Sequence, residues 1–456
     1  MSLNPLSRSR VRHCIALIGA GALVGVALAV FTGPPVTARA AGLSVRIVGN
    51  HFVDGGGRTV RLLGVNRSGS EYACMANWAV FDGPSDAASI AAMAGWNIDA
   101  VRVPLNEDCW LGINGAPAAF SGANYRNAIA GYVSRLHAAG IYAIVDLHWN
   151  AQGSLPADGK TGQGRKMADL DHAPAFWTSV AGFFKNDHGV VFDLFNEPHD
   201  IGWDCWLNGC TTSDGTGTWQ AAGMQTLLNA VRATGATNVV TLSANGWGGD
   251  IPQWINYRPH DPVGQIAAGW HVYYPETWWS EPSRWNAGVS PVLAAQVPIV
   301  TTEFGEHDCA GGWMNQFLPW ADQHGLSYTA WTWDTWPNCG NPVLITKYDG
   351  TPTGYGVSLR DHLSGLAGFK PLAIPATSVR RAGSAAQASR SPAAAPLLVT
   401  SPARAALIGV GSILLVAAPL GLAAGLWLLR RRRGRRRPAA NTEVPVTAEP
   451  AEPLRT

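Results

Sequence analysis

The 456-residue chain has no Cys-x-x-Cys pair, and no Gly-Lys-Ser/Thr follows its glycine run Gly55–Gly57. The first absence speaks against a zinc ribbon or finger, the second against a phosphate-cradling loop. Charge is scarce, with Asp, Glu, Lys and Arg making up 14% of residues. It is also unevenly placed. Residues 1–40 hold 4 arginines and no acid, and residues 405–456 hold 8 arginines and 3 acids, which leaves 41–404 with 21 basic against 28 acidic residues. The basic overall balance therefore belongs to the ends. The acidic middle lacks the basic face that phosphate neutralisation requires, so nucleic acid is excluded as a partner.

Both ends read as address and anchor. Arg8, Arg10 and Arg12 precede an apolar run from Ile15 to Phe31, and Ala38-Arg39-Ala40 follows. This is the layout of a signal peptide over 1–40, cut after Ala40; an uncleaved N-terminal anchor is the alternative. Residues 405–429 are apolar and uncharged, long enough as a helix to cross a hydrocarbon core of roughly 30 Å. Arg430–Arg433 and Arg435–Arg437 follow at once, which predicts a cytoplasmic tail over 430–456. No Leu-Pro-x-Thr-Gly sorting signal precedes the segment, so a permanent single-pass transmembrane helix is expected. A buried core helix fits poorly beside seven arginines. Residues 371–404, rich in Pro, Ala and Ser, read as a linker. The expected location is the extracellular face of the cell membrane.

Cys14 leaves with the signal, and Cys74, Cys109, Cys205, Cys210, Cys309 and Cys339 remain. An even number in an exported domain predicts three disulfides. Cys205–Cys210 closes a short loop, and Cys74–Cys109 with Cys309–Cys339 are the simplest remaining pairs. A zinc site is the rival reading.

Between these ends, residues 41–370 suit one large domain. Apolar runs recur at Thr59–Asn66, Asn97–Pro104, Ile141–His148, Val190–Asn196, Asn238–Ala244, Gln265–Tyr273, Val297–Phe304 and Leu326–Trp333. Near-continuous apolar strands are typical of a parallel sheet covered on both faces. Amphipathic patterns such as Asn124–Ala139 and Trp219–Thr234 lie between them. Alternation of this kind, eight times over, predicts an α/β chain folded as a (β/α)8 TIM barrel. Leu43–Phe52 with Asp54-Gly55-Gly56-Gly57 reads as an N-terminal β-hairpin that plugs the barrel floor.

The polar residues fall at one end of these strands: Asn66, Arg102, His148, Asn196-Glu197, His271 with Tyr273, Glu303 and the Trp331/Trp333 pair. In barrels the C-terminal rim carries the chemistry. Two carboxylates facing one another there are the minimal machinery for cutting a glycosidic bond. Asn196-Glu197-Pro198, Thr302-Glu303-Phe304-Gly305, His271-x-Tyr273 and Asp146-Leu147-His148 together resemble glycoside hydrolase family five, the cellulase family, over the whole of 43–370. The resemblance implies Glu197 as acid/base and Glu303 as nucleophile. It implies Arg102, His148, Asn196, His271, Tyr273 and Trp331 as supporting or substrate-binding residues, with Trp331 matching better than Trp333. Asn66 stands where many members place an aromatic.

Bland alternatives stay open for each residue. Arg102 is also a candidate structural salt-bridge residue, and His148 and His271 are candidate core histidines. Asp146 and Asp193 lie inside their strands and read as buried structural groups. Glu306 and Asp334 are reserve carboxylates. Of 20 tryptophans, Trp149, Trp203, Trp206, Trp247, Trp278, Trp279 and Trp336 fall in rim loops. A flat aromatic face stacks on a pyranose, and about half of these are expected to touch sugar.

The expectation is a membrane-tethered, monomeric, retaining β-glycosidase acting on β-glucan or a related β-linked polysaccharide, cellulase-like, with no metal or organic cofactor. Three rivals stand beside it: a glycolipid-cleaving endoglycosidase, a non-catalytic carbohydrate-binding protein on the same barrel, and a metal-dependent hydrolase. Loops 105–120, 150–172, 200–218 and 274–290 are expected to set specificity.

Overall fold

The computed structural model describes residues 43–276, 278–337 and 341–366. The signal (1–40), the linker (371–404), the membrane span (405–429), the tail (430–456) and Cys339 lie outside the described residues. Among the described residues no helix is long and apolar enough to cross a membrane.

The chain enters through β1 (Val45–Val48), β2 (His51–Asp54) and β3 (Thr59–Val60), an antiparallel three-stranded sheet. The tight turn is at Gly49-Asn50, with Gly49 at φ 61°, a value glycine adopts without steric cost. The glycine run at 55–57 makes a second turn instead, held where Asp54 accepts from the Gly56 and Arg58 amides at 2.8 and 2.9 Å. Val45, Ile47 and Phe52 point from this sheet into a cluster with Ala100, Tyr142, Ile144, Val191, Val239, Ala267 and Val300. These are residues from the N-terminal ends of the barrel strands, so the expected floor plug is present.

The barrel begins with β4 (Leu63–Asn66), α1 (Ala87–Ala94), β5 (Ala100–Asn106), α2 (Glu107–Leu111), α3 (Ala123–Ala138), β6 (Tyr142–Trp149), α4 (Ala173–Phe184) and β7 (Val190–Asp193). It continues through α5 (Trp203–Asn208), β8 (Cys210–Asp214), β9 (Gly217–Ala221), α6 (Met224–Ala233), β10 (Val240–Ser243) and α7 (Ile251–Trp254). It closes with β11 (Ile266–Tyr274), α8 (Pro282–Ala294), β12 (Ile299–Glu306), α9 (Met314–Gln323), β13 (Ser327–Ala330) and α10 (Gly354–Leu366). Strands β4, β5, β6, β7, β10, β11, β12 and β13 are hydrogen-bonded in that order into a closed parallel barrel. Each strand is buried on both faces, which explains the unbroken apolar runs.

Two elements differ from the sequence pattern. The run Trp219–Thr234 is a helix only from Met224, because Trp219–Ala221 belongs to β9, which pairs with β8 around the turn Asp214–Gly217. A hairpin whose faces alternate between half-buried and exposed leaves little hydrophobic signal. The fifth crossover carries only the short α7 and a 3-10 turn, Ile255–Tyr257. Arg258 precedes Pro259 and sits at ψ 121°, since a residue before proline is pushed out of the helical region.

Disulfides Cys74–Cys109 and Cys205–Cys210 are formed as expected. Cys309 is disulfide-bonded as well. Cys74–Cys109 spans 35 residues and ties the loop after β4 to α2. In the chain-entropy account, closing such a loop contributes about 4 kcal/mol. The double variant C74S/C109S is expected to unfold at a lower temperature by roughly that free energy, as measured by differential scanning calorimetry; an unchanged Tm contradicts it.

Candidate active site

Most site residues named from the sequence lie toward the C-terminal end of a barrel strand or just beyond it, while Arg102 is the third residue of β5 and sits deeper in the barrel. Glu197 follows β7, Glu303 sits on β12, and His271 and Tyr273 sit on β11. Oxygens of Glu197 and Glu303 lie within 4.8 Å of one another, with His271 between them.

Glu303 is buried, and each of its oxygens has a donor. Arg102 Nη1 donates to Oε1 at 2.6 Å, and the Tyr273 hydroxyl donates to Oε2 at 2.7 Å. Two donors match the acceptor-only carboxylate form. Burial, and then the Glu303 and Glu197 charges, push the Tyr273 phenol far up, so it remains a donor. Gly305 makes room for that phenol: a Cβ there would meet the Tyr273 ring at 2.6 Å. The glycine of Glu303-Phe304-Gly305 thus has a packing reason.

Glu197 is the more open of the two, with 24% of its side chain exposed against 5% for Glu303. Its Oε1 lies 3.0 Å from His271 Nδ1, and Thr302 Oγ1 lies 3.0 Å from His271 Nε2. Burial pushes the Glu197 carboxyl above its ordinary value, against the pull of His148, Arg102 and His199. Burial likewise pushes His271 down to about 4, so at neutral pH it is an uncharged imidazole. Either tautomer satisfies the chain. With Nε2–H donating to Thr302, Nδ1 accepts from a protonated Glu197; with the Thr302 hydroxyl donating to Nε2, Nδ1–H donates to an ionised Glu197. Gly248 lies against the same ring, where a Cβ would approach it to 2.7 Å.

Arg102 is fully buried and uses all five N–H donors. Nε donates to Asp193 at 2.9 Å, Nη1 to Glu303 at 2.6 Å and Asn66 at 3.0 Å, and Nη2 to Asp146 at 3.0 Å and Asn196 at 2.8 Å. Burial opposes its charge, but Asp146, Asp193 and Glu303 outweigh that and raise its pKa. Burial lifts Asp146 to about 7 and Asp193 to about 6 despite the same arginine. Arg102 and His271, grouped from the sequence with the substrate-binding residues, are wholly buried and do not line the cleft; both contact the carboxylate pair.

The cleft itself, about 700 Å³, is lined by His148, Asn196, Glu197, Tyr273, Glu303 and Trp331 among the residues expected. Asn196 turns Oδ1 inward to Arg102, which leaves its Nδ2 as the donor available to the cleft. His148 Nδ1 lies 2.9 Å from Asp146 Oδ2, and its ring stacks on Trp331 at 5.5 Å and 12°. Burial pushes His148 down to about 4. The register of β13 is resolved, since Trp331 faces the cleft while Trp333 is buried against Trp96.

A family model described as Cellulase (glycosyl hydrolase family 5) matches residues 53–336. The chain belongs to glycosyl hydrolase family 5, the cellulase family. Endoglucanase MaCel5A of Microbulbifer sp. is 23% identical over 250 residues, 52% of this chain and 42% of that enzyme. Endoglucanase 1 of Robillarda sp. is 28% identical over 149 residues, 29% of this chain and 35% of that enzyme. The chain thus spans less than two thirds of the length of these relatives. The beta-glucanase SdGluc5_26A from Saccharophagus degradans, in complex with cellotetraose, superposes with a TM-score of 0.53 at 20% identity, over 71% of this chain and 94% of that one. At that identity the likeness speaks for the fold alone.

In this family-5 barrel, Trp149, Trp247, Trp278 and Trp279 of the seven rim tryptophans line the cleft. Trp206 is buried and Trp203 stacks on Tyr257, so both belong to packing, and Trp336 leans on Tyr72 outside the cleft. The reserve carboxylates are accounted for elsewhere. Glu306 accepts from the Trp313 and Met314 amides at 3.2 and 3.0 Å, and Asp334 from Ser68 and Tyr348. Asn66, placed where an aromatic was expected, donates to the Thr302 carbonyl at 2.9 Å and faces Arg102, so it is part of the buried network.

Four contributors escaped the sequence reading. His199 donates to the Glu197 carbonyl at 2.8 Å and stacks on Trp247, which braces the acid's backbone. Gln163, Glu276 and His307 line the cleft from loops. His199 lies two residues past Glu197 and was within reach of the sequence; the loop residues were not, because nothing local fixes where a loop folds.

The Glu197–His271–Glu303 cluster has the size of a cation site. The Arg102 guanidinium at 2.6 Å from Glu303 opposes a divalent ion there.

Proposed function

We propose that this chain is a retaining β-glycosidase that hydrolyses β-glucan or a related β-linked polysaccharide by double displacement. The observation that carries the reading is that an oxygen of each carboxylate lies within 4.8 Å of the other, with both within 3.7 Å of His271 Nδ1. Retaining enzymes hold their pair roughly 5–5.5 Å apart, whereas inverting ones leave about 6.5–9.5 Å for a water. Glu303, held by Arg102 and Tyr273, attacks the anomeric carbon. Glu197, its proton retained by burial, protonates the leaving oxygen and then, as a carboxylate, activates water. Asn196 Nδ2 is suited to donate to the sugar 2-OH. Trp331 and the rim tryptophans offer stacking faces along an open cleft, and the endoglucanase relatives support a glucan substrate.

The test is product stereochemistry on soluble β-glucan, followed by proton NMR: the β-anomer appears first and then mutarotates. First appearance of the α-anomer excludes double displacement.

The raised Glu197 pKa sets the alkaline side of the pH profile. The acid must be protonated to donate, so activity is present below its folded pKa and is lost as pH rises through it. The alkaline limb of kcat/KM is expected above the ordinary glutamate value and to vanish in E197Q. A limb unchanged in that variant assigns the group elsewhere.

By the same proposal the barrel works at the outer face of the cell membrane, exported by 1–40 and held by 405–429. Protease added to intact cells is expected to release the barrel while the arginine-rich tail stays with the membrane.

A further inference from the structure

Outside the cleft lining lies a second convergence of ligating groups that the proposed reaction does not use. Glu107 opens α2, Asp169 ends the long loop after β6, and His172 stands at the N-cap of α4. One ligand atom from each lies within 4.8 Å of the others. His172 Nδ1 is 3.9 Å from Glu107 Oε1 and 3.7 Å from Asp169 Oδ1.

What sets this cluster apart is that the Glu107 oxygens and His172 Nδ1 are buried without a well-formed hydrogen bond. Glu107 itself is fully buried. A buried carboxylate with no well-formed hydrogen bond is costly, and here a second one, Asp169, faces it. Burial first, then the Asp169 charge and a carboxyl–carboxyl contact with Asp169, then the Asp108 charge, push the Glu107 carboxyl far up, and the nearby Ala151 amide offsets this only in part. Asp169 is held in place rather than neutralised: Asn150 Nδ2 donates to Oδ2 at 2.7 Å and the His172 amide to Oδ1 at 2.7 Å. Among the described residues no lysine or arginine forms an ion pair with Glu107 or Asp169, whereas Asp146 and Asp193 have Arg102; Arg165 acts on Asp169 only at longer range, its own ion pair being with Asp214.

We infer that Glu107, Asp169 and His172 form a structural site for a divalent transition-metal cation, Zn²⁺ foremost. Two carboxylates match the double charge, and an imidazole nitrogen selects Zn²⁺ over Ca²⁺, which takes oxygen ligands. Ligand atoms 3.7–3.9 Å apart fit on either side of an ion bound at roughly 2.0–2.2 Å. The position gives the ion a task. Asn150 and Asp169 lie at the two ends of the loop that carries Gln163 and Gly164 into the cleft. A cation there staples the base of that loop to α2.

The test uses the detergent-solubilised full chain, stripped with EDTA and titrated with ZnCl2 by calorimetry, with Tm followed in parallel. One Zn²⁺ per chain is expected, with a rise in Tm that CaCl2 at the same concentration does not reproduce. E107Q and H172A are each expected to weaken Zn²⁺ binding by at least about 100-fold. E197Q is expected to bind Zn²⁺ unchanged, which separates this site from the cleft. E107Q replaces a buried carboxyl isosterically with a neutral amide, so its metal-free form is expected to melt no lower than the parent. Should it fail to fold, H172A, at a partly exposed position, decides alone. Absence of saturable uptake overturns the inference and leaves a carboxyl pair sharing a proton. So does uptake that survives both variants or is lost in E197Q.

Discussion

Replacing Glu303 with glutamine is expected to lower kcat by about 10⁴–10⁶-fold, the scale on which removal of a covalent nucleophile disables a catalytic unit. The substitution keeps volume and shape, and the amide oxygen can still accept from Arg102 or Tyr273. Folding should therefore survive, and KM should move little. E197A is expected to behave differently. Proton donation is worth about 10²–10⁴-fold, and the loss falls mainly on substrates with poor leaving groups. An activated aryl glycoside should still glycosylate Glu303 in E197A, after which the intermediate waits for a base it no longer has. Added azide needs no base and should restore turnover, giving a β-glycosyl azide. Two carboxylates with these unequal signatures are what double displacement demands. Equal losses on all substrates, with no azide rescue, contradict the assignment.

The second large effect belongs to Arg102. Its five N–H groups hold five acceptors on five residues, three of them carboxylates. R102M leaves Asp146, Asp193 and Glu303 without their cation, and breaking a buried ion pair from one side costs about 3–5 kcal/mol. With three acids on one arginine, the loss is expected at or above the upper end, read as a fall in urea midpoint at unchanged m. R102K tests geometry apart from charge. An ammonium is a point donor and cannot reproduce the planar fork. It should retain much of the stability while kcat falls about 10²-fold, because a misplacement of roughly 1 Å at a reacting group costs that much. A lysine variant with full activity contradicts a positioning role.

The barrel and the acid pair were legible for a physical reason. A parallel strand buried on both faces must be apolar throughout, so a polar residue at its end stands out. Glu197 after Val190–Phe195 and Glu303 after Val297–Thr302 are such residues. The division between cleft-lining and buried residues was not legible. Arg102 and His271 carry the same polar signal as His148 and Tyr273, and only depth within the barrel separates them. The β8–β9 hairpin was hidden because an exposed two-stranded ribbon buries too little to impose a pattern. His172 and Glu107 looked unremarkable for the opposite reason: 65 positions apart in sequence, they share a site only through the fold.

The most direct test of the central claim is to trap the covalent intermediate. Incubation with a 2-deoxy-2-fluoro-β-cellobiosyl fluoride, followed by peptide mass spectrometry, is expected to place one glycosyl group on Glu303, with none formed in E303Q. A label on Glu197 or another residue, or the absence of any label while the substrate is turned over, would contradict the account.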